Sequence, residues 1–331
     1  MPIRRATAIS CSNIAFIKYW GDLDSSLHVP VNGSISMNLA ELSTRTSVSF
    51  DPSLLQDELI LNGEPIFGTA LERVSMLLNR VRKLANISTF ARVESQNTFP
   101  IAAGIASSAS GFAALSLATS RAAGLSLGEK DLSRLARTGS GSACRSIPGG
   151  FVEWQAGHND KDSYAYSIAS ASYWDLADCI AFVSEEEKPV SSSVGHSLAH
   201  TSLLQAARLA DAPRRLNLCR EAILERDFYK FAEVVETDCN LMHAVMITST
   251  PPLFYWQPAT VAIMHAVQAW RKEGLVVCYT IDAGPNVHVL CPSTQVEKIG
   301  ERLRQLPGVI QVRTTHPGGP ARLEESQLDM G

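Results

Sequence analysis

Four short segments of the chain hold residue types that can do chemistry. Residues 97–115 read NTFPIAAGIASSASGFAAL, a proline turn leading into a Gly/Ser loop and then an Ala-rich amphipathic run. Gly104 permits close backbone approach and a positive φ. Ser107, Ser108 and Ser110 suit a helix N-terminus, where free amides and hydroxyls point outward and the helix dipole favours an anion. Neither familiar phosphate loop fits: no Lys follows the glycines as in GxxxxGK[ST], and no GxGxxG follows a strand. An anion cradle and an ordinary Gly/Ala-packed helix start both stay open on these residues alone.

Residues 139–146 read GSGSACRS. Ser140, Gly141 and Ser142 expose backbone amides, and Arg145 sets a planar guanidinium beside them, a donor set for carboxylate or phosphate. The other reading is a connector carrying a surface Arg. Residues 282–286 read DAGPN, after the apolar run VVCYTI. A carboxylate at such a strand end, Asp282, can act as a base or orient a hydroxyl. An Asp in a turn is also a common structural residue. Near the start, Lys18 interrupts an apolar strand-like run. It either snorkels to solvent or pairs with a carboxylate or an anionic ligand.

These segments need elements to position them. Alternation predicts strands over 44–50 and 58–61, joined onward by an Asn62-Gly63 hairpin turn. Helical spacing covers 71–84, with Arg73 among its cations. A strand at 90–94 precedes the Gly/Ser loop. Helices follow at 109–122 and 129–138, then a loop and a strand ending near Trp154. The second half reads as a buried strand at 177–183, helices at 203–209 and 216–235, a helix at 259–273, strands at 275–281 and 288–291, and a last helix at 296–306. Strand pairs mixed with helices predict an α+β fold over a doubly wound sheet. The acidic, Ser-containing stretch at 185–193 is the candidate boundary, dividing the chain into 1–184 and 185–331. The tail after Arg322 reads as loose.

Composition narrows the classes. The chain has 331 residues, 45% hydrophobic and 19% charged, with net charge −4. That is enough for two lobes with real cores. Without a concentrated basic face, nucleic acid is not an expected partner. No apolar run reaches membrane-spanning length. The seven cysteines are scattered without a CxxC pair, so neither a zinc site nor a disulfide framework is expected, and a reducing cytoplasm is the simplest compartment.

Taken together, NIAFIKYWG, FPIAAGIASSASGFAAL, GSGSACRSIPGGFVEW and DAGPN resemble the mevalonate diphosphate decarboxylases of the GHMP kinase superfamily. NGEP at 62–65, PPLFY at 251–255 and PGGPAR near the end extend the resemblance over most of the chain. It implies a GHMP kinase fold: an N-terminal ATP-binding lobe like ribosomal protein S5 domain 2, and an α+β C-terminal lobe, around a deep cleft. It implies ATP and Mg2+ as cofactors, a phosphorylated mevalonate as substrate, and a homodimer. By the same resemblance, Asp282 orients the C3 hydroxyl or takes its proton, and Lys18 pairs with Asp282 or stabilises the transferring phosphoryl group. Arg145 holds the substrate carboxylate. Gly104, Ala106, Ser107, Ser108 and Ser110 grip the ATP phosphates, with Ser108 toward the metal. Ser140, Gly141 and Ser142 take the C5 phosphate end, and Asn13, Tyr19 and Arg73 are further substrate contacts. Tyr19 reads equally as an aromatic packed beside Trp20.

One position departs from the family pattern. Where KYWGK is expected, the chain reads Lys18-Tyr19-Trp20-Gly21-Asp22. Asp22 reverses the charge at the phosphate end, and like charges a few Å apart cost on the order of kcal/mol. Either the site takes a substrate with less charge there, or Asp22 faces solvent while Arg73 or Lys188 compensates. The first reading predicts conversion of 5-phosphomevalonate to isopentenyl phosphate. The alternatives are the same reaction on mevalonate 5-diphosphate, and a mevalonate 3-kinase that stops after phosphorylation. His28, His243, His288 and His316 have no assigned role, and His243 and Cys144 are expected to be packing residues.

Overall fold

The computed structural model describes residues 4–99, 107–186 and 190–324, without the Ser107 side chain. Gly104, Ala106 and Lys188 lie outside the described residues.

The first lobe is built on an eight-stranded sheet. Its main path runs Arg322–Leu323, Arg4–Ile17, Ser34–Phe50, Ala91–Asn97, Glu58–Leu61 and Glu64–Ile66. Phe151–Gln155 joins the free half of Ser34–Phe50, and Tyr164–Ala169 pairs beyond it. The Asn62-Gly63 hairpin forms as expected, both residues at positive φ. The helices Thr69–Ala85, Ser107–Ala122 and Glu129–Gly139 cover one face, and Ser107–Ala122 packs across the two long central strands. Ala113, Ala118 and Ala122 meet Val48, Val93 and Leu77 there; small side chains let helix and sheet approach closely.

The second lobe holds a four-stranded sheet in the order Cys278–Thr280, Val287–Pro292, Leu176–Phe182, Gln311–Thr315. The helices Pro258–Lys272 and Val296–Arg304 contribute to a core over it with Trp270, Val289 and Leu303. Two further helices, Gln205–Glu225 and Phe228–Ile247, join the lobes. Phe231 and Val235 pack with Ile14 and Phe16 of the first lobe and Leu290 of the second. Sheet membership changes between Ala169 and Leu176, upstream of the 184/185 division, and returns to the first sheet at Arg322.

Three expectations change. The strand expected from residue 44 starts at Ser34, because Ser34, Ser36 and Asn38 are buried polar residues that hide the apolar pattern. The helices expected at 203–209 and 216–235 are instead Gln205–Glu225 and Phe228–Ile247. Pro213 sits inside the first, where buried Arg208 and Arg215 tie the helix to its neighbours on either side of it. The break falls at Arg226, in a left-handed conformation, and Asp227, whose carboxylate caps the next helix by accepting from the amides of Tyr229 and Lys230. The segment after Arg322 begins as a strand, with Ala8 opposite Leu323.

Candidate active site

A cavity of about 410 Å3 opens between the lobes. The strand Arg4–Ile17 ends at its floor, and the next residue is Lys18. Lys18 is 1% exposed and its Nζ lies 2.6 Å from Asp282 Oδ1, which the turn after the strand Cys278–Thr280 delivers from the other lobe. Asp282 is 35% exposed and faces the cavity. Burial alone would push its carboxyl up. The Lys18 ammonium, with His288 and Arg145 behind it, outweighs burial and holds the group below the ordinary carboxylate range. The pair therefore presents a carboxylate at working pH.

Arg145 enters from the tight turn Gly141–Ser146. It is buried and its guanidinium is aimed by neutral partners: Nη1 donates to Ser34 Oγ at 2.6 Å and Nη2 to Asn13 Oδ1 at 3.2 Å. Among the described residues no carboxylate pairs with it directly, and burial pulls its pKa down. A buried cation aimed by neutral groups is prepared for an anionic ligand. Asn13 also donates to Ser146 Oγ at 2.7 Å and the Ser142 carbonyl at 3.2 Å, so it braces the same turn.

Ser108, in the first turn of Ser107–Ala122, lines the cavity, and its hydroxyl lies 3.2 Å from that of Ser140. The two loops thus meet at one point. Arg73 lines the cavity as well, donating to the Gly139 carbonyl at 2.9 Å. Ser110 is fully buried, shares a 2.7 Å hydrogen bond with Thr44, and is not among the described residues that line the cavity. Two residues on from Ser108 a helix has turned through about 200°, onto the sheet-facing side.

Asp22 also faces the cavity, with its side chain 11% exposed. The solvent-facing reading is therefore removed. Tyr19 donates its hydroxyl to Asp22, and His28 Nδ1 lies 3.7 Å from the other carboxylate oxygen. Burial raises the Asp22 carboxyl, but His28, His196 and the Tyr19 hydroxyl together bring it below its usual value. Burial, then the neighbouring Asp22 charge, keeps Tyr19 a phenol. The Tyr19 ring lies against Gly141, where an added Cβ would sit 2.5 Å from it. Asp22 is thus tied, through Tyr19, to the loop expected to hold the phosphate end.

Sequence reasoning missed several lining residues. His28 is one: the structure holds it at φ 50 in the turn ahead of Val29–Pro30 and turns its ring to Asp22. His196 lies on the short helix Ser192–Leu198, its ring 4.1 Å from that of Tyr19, and accepts the Gly21 amide on Nδ1 at 3.0 Å. Gly21 adopts φ 103, a conformation that favours glycine. Ser191 caps the helix Ser192–Leu198, accepting from the Val194 amide, and Ser192 and Ser193 open it; the run of three serines is the available signal. Cys144 is buried packing, as expected.

Comparisons with known proteins identify the family. Residues 10–165 match the family described as diphosphomevalonate decarboxylase-like N-terminal domain, and residues 179–324 the mevalonate 5-diphosphate decarboxylase C-terminal domain. The diphosphomevalonate decarboxylase of Aspergillus fumigatus is 39% identical over 92% of this chain and 81% of its own length. That of Saccharomyces cerevisiae is 36% identical over 99% of this chain and 87% of its own. The crystal structure of mevalonate diphosphate decarboxylase from Staphylococcus aureus superposes with TM-score 0.94 at 39% identity, covering 98% of this chain and 99% of that one. A structure described as MDDEF in complex with MVAPP, AMPPCP and magnesium gives TM-score 0.92 at 39% identity, covering 98% of this chain and 100% of that one. The chain belongs to the diphosphomevalonate decarboxylase family, on the GHMP kinase fold.

Proposed function

We propose that this chain catalyses the ATP-dependent decarboxylation of mevalonate 5-diphosphate, giving isopentenyl diphosphate, ADP, phosphate and CO2. The observation that carries the reading is the cross-lobe Lys18–Asp282 pair, opening on the same cavity as the buried Arg145. The names of the relatives support the diphosphate.

The chemistry follows from the leaving group. Hydroxide leaves a tertiary carbon poorly and phosphate leaves it well. Asp282 orients the C3 hydroxyl and takes its proton as the oxygen attacks the γ-phosphorus of ATP. Lys18 offsets charge on the transferring phosphoryl group. The C3–O bond then breaks with phosphate leaving, the C1–C2 bond breaks to release CO2, and its electron pair forms the C2=C3 bond. Arg145 holds the carboxylate until that step. Ser140, Gly141, Ser142 and Tyr19 take the C5 end, with Asn13 bracing Arg145 and Arg73 beside Gly139.

The residues present fit a nucleotide-bound metal. Among the described residues no group of three His, Cys, Asp or Glu side chains could hold an ion. Mg2+ usually binds through substrate phosphates with few protein ligands, and the Ser108 hydroxyl in the first turn of its helix suits that arrangement. When bound, Mg2+ neutralises charge on the transferring phosphates.

A second reading is favoured by Asp22. A carboxylate at the phosphate end suits 5-phosphomevalonate, with isopentenyl phosphate as product. Steady-state kinetics with both substrates separates the two. A higher kcat/KM for the diphosphate supports the first, and a higher value for the monophosphate supports the second. ADP release without CO2 from either would overturn both in favour of a 3-kinase.

A further inference from the structure

Lys18 and Asp282 belong to different lobes, yet one helix holds the main chain at Lys18 and at Ile281, the residue before Asp282. The Lys18 amide donates to Asp238 Oδ2 at 2.6 Å. Its carbonyl accepts from Arg208 Nη2 at 2.7 Å and Asn32 Nδ2 at 3.0 Å. Immediately ahead of Asp282, the Ile281 amide donates to Cys239 Sγ at 3.2 Å, and the Ile281 carbonyl lies 3.4 Å from His243 Nε2. Asp238, Cys239 and His243 are all buried on the helix Phe228–Ile247, which packs against both Arg4–Ile17 and Cys278–Thr280.

The helix anchor is itself braced. Arg215 Nε donates to Asp238 Oδ1 at 2.8 Å, and Arg215 Nη2 to the Arg208 carbonyl at 2.9 Å. Three buried charges in one network are costly unless fully paired, and none of them reaches the reacting atoms in the scheme above. Burial, and then the nearby Lys18 charge, bring His243 down to about 3, so its ring is neutral at working pH. The tautomer protonated on Nε2 is the one that can donate to Ile281.

We propose that the helix Phe228–Ile247 sets the separation of Lys18 and Asp282, with Asp238, Cys239 and His243 as positioning residues. The inference rests on the reaction proposed above. Phosphoryl transfer needs the carboxylate in hydrogen-bond reach of the hydroxyl, and a 1 Å misplacement costs about 10²-fold in rate. A single rigid element bound to the main chain at Lys18 and at Ile281 holds that distance, beside one direct tie between the two strands, the Thr280 hydroxyl donating to the Ala15 carbonyl at 3.3 Å.

The test uses Asp238→Asn, His243→Phe and His243→Gln in the full chain. Asp238→Asn keeps the shape but cannot accept from both Lys18 and Arg215. His243→Phe keeps the ring and loses the donor; His243→Gln restores an amide donor near the Nε2 position. The first two should lower kcat at least tenfold, with a smaller change in KM, and His243→Gln should recover most of the loss.

The Asp282 titration, followed by carboxyl 13C NMR without substrate, gives a readout independent of turnover. The charged and titratable groups around that carboxylate are Lys18 just after the first strand, Arg145 from the tight turn, His288 from the neighbouring strand, and Cys239 and His243 from the helix. Relaxing Lys18 away should move the Asp282 titration upward in Asp238→Asn. Folded variants with a lowered Tm but an unchanged kcat and an unchanged Asp282 titration would overturn the proposal, leaving the helix as packing alone. Failure of the wild type to release CO2 from either substrate would overturn the proposed reaction, while the titration would still decide the positioning role.

Discussion

Lys18 Nζ and Asp282 Oδ1 meet at 2.6 Å although 264 positions separate them in the chain. The carboxylate therefore needs no substrate to be ionised, and the ammonium needs none to be aimed. Asp282→Asn keeps the shape and removes the base. We expect kcat to fall by about 10²–10⁴-fold, measured as CO2 and ADP release, while nucleotide affinity, read by equilibrium binding, persists. Near-normal turnover would remove Asp282 from its role.

The same pair fixes a pH dependence. Because the folded-state pKa of Asp282 lies below its ordinary value of 3.8, activity should hold as pH falls through the usual carboxylate range. The stability the pair contributes is present above the unfolded pKa and is lost as pH falls through the folded one. Lys18→Met should move the acid limb of kcat to higher pH. A limb that stays in place would mean that Lys18 does not govern the Asp282 charge.

Substitutions at Asp22 test substrate choice. Asp22→Asn removes a negative charge beside the Tyr19–Gly141 contact, and Asp22→Lys reverses it. The ratio of kcat/KM for diphosphate over monophosphate should rise in both, more in Asp22→Lys, by about tenfold for each ~1.4 kcal/mol of repulsion removed. Competition assays with both substrates would show it. An unchanged ratio would place the discrimination elsewhere.

Gly141 has no room for a side chain, since a Cβ there would sit 2.5 Å from the Tyr19 ring. Gly141→Ala should displace Tyr19, weaken its hold on Asp22 and raise KM for the phosphorylated substrate several-fold. KM for ATP should change less. Parallel titrations of the two substrates provide the check.

Far from the cavity, Asp227 caps the helix Phe228–Ile247. Asp227→Ala should cost about 1 kcal/mol of stability, seen as a lower denaturant midpoint with an unchanged slope. No loss would mean that another group satisfies those amides.

Much of this was legible in the residues. The four loops carried their chemistry on the surface of the sequence: Lys18, Arg145, Ser108 and Asp282 all reach the cavity. The polar half of Ser34–Phe50 was not legible, because a strand whose inward face holds Arg145 through Ser34 does not alternate as a core strand does. The 205–247 region misled for a related reason. Pro213 lies in the gap between the two expected helices, where buried arginines tie one continuous helix to its neighbours, whereas the real break at Arg226 and Asp227 has only a capping carboxylate to announce it. His28 and His196 were invisible because their partner, Asp22, is a contact made by a turn at positive φ and by a helix from the second lobe.

The segment that returns to the first lobe carries a final consequence. Gly318 bonds to Asn38 and Gly150, Ala321 donates to the Ile147 carbonyl, and Leu323 pairs with Ala8. These contacts reach the base of the turn that holds Arg145. During synthesis, residues 317–323 emerge more than 150 positions after that turn. The first sheet must wait with an open edge until they arrive, so the Arg145 turn receives its last brace only after residues 317–323 have been made.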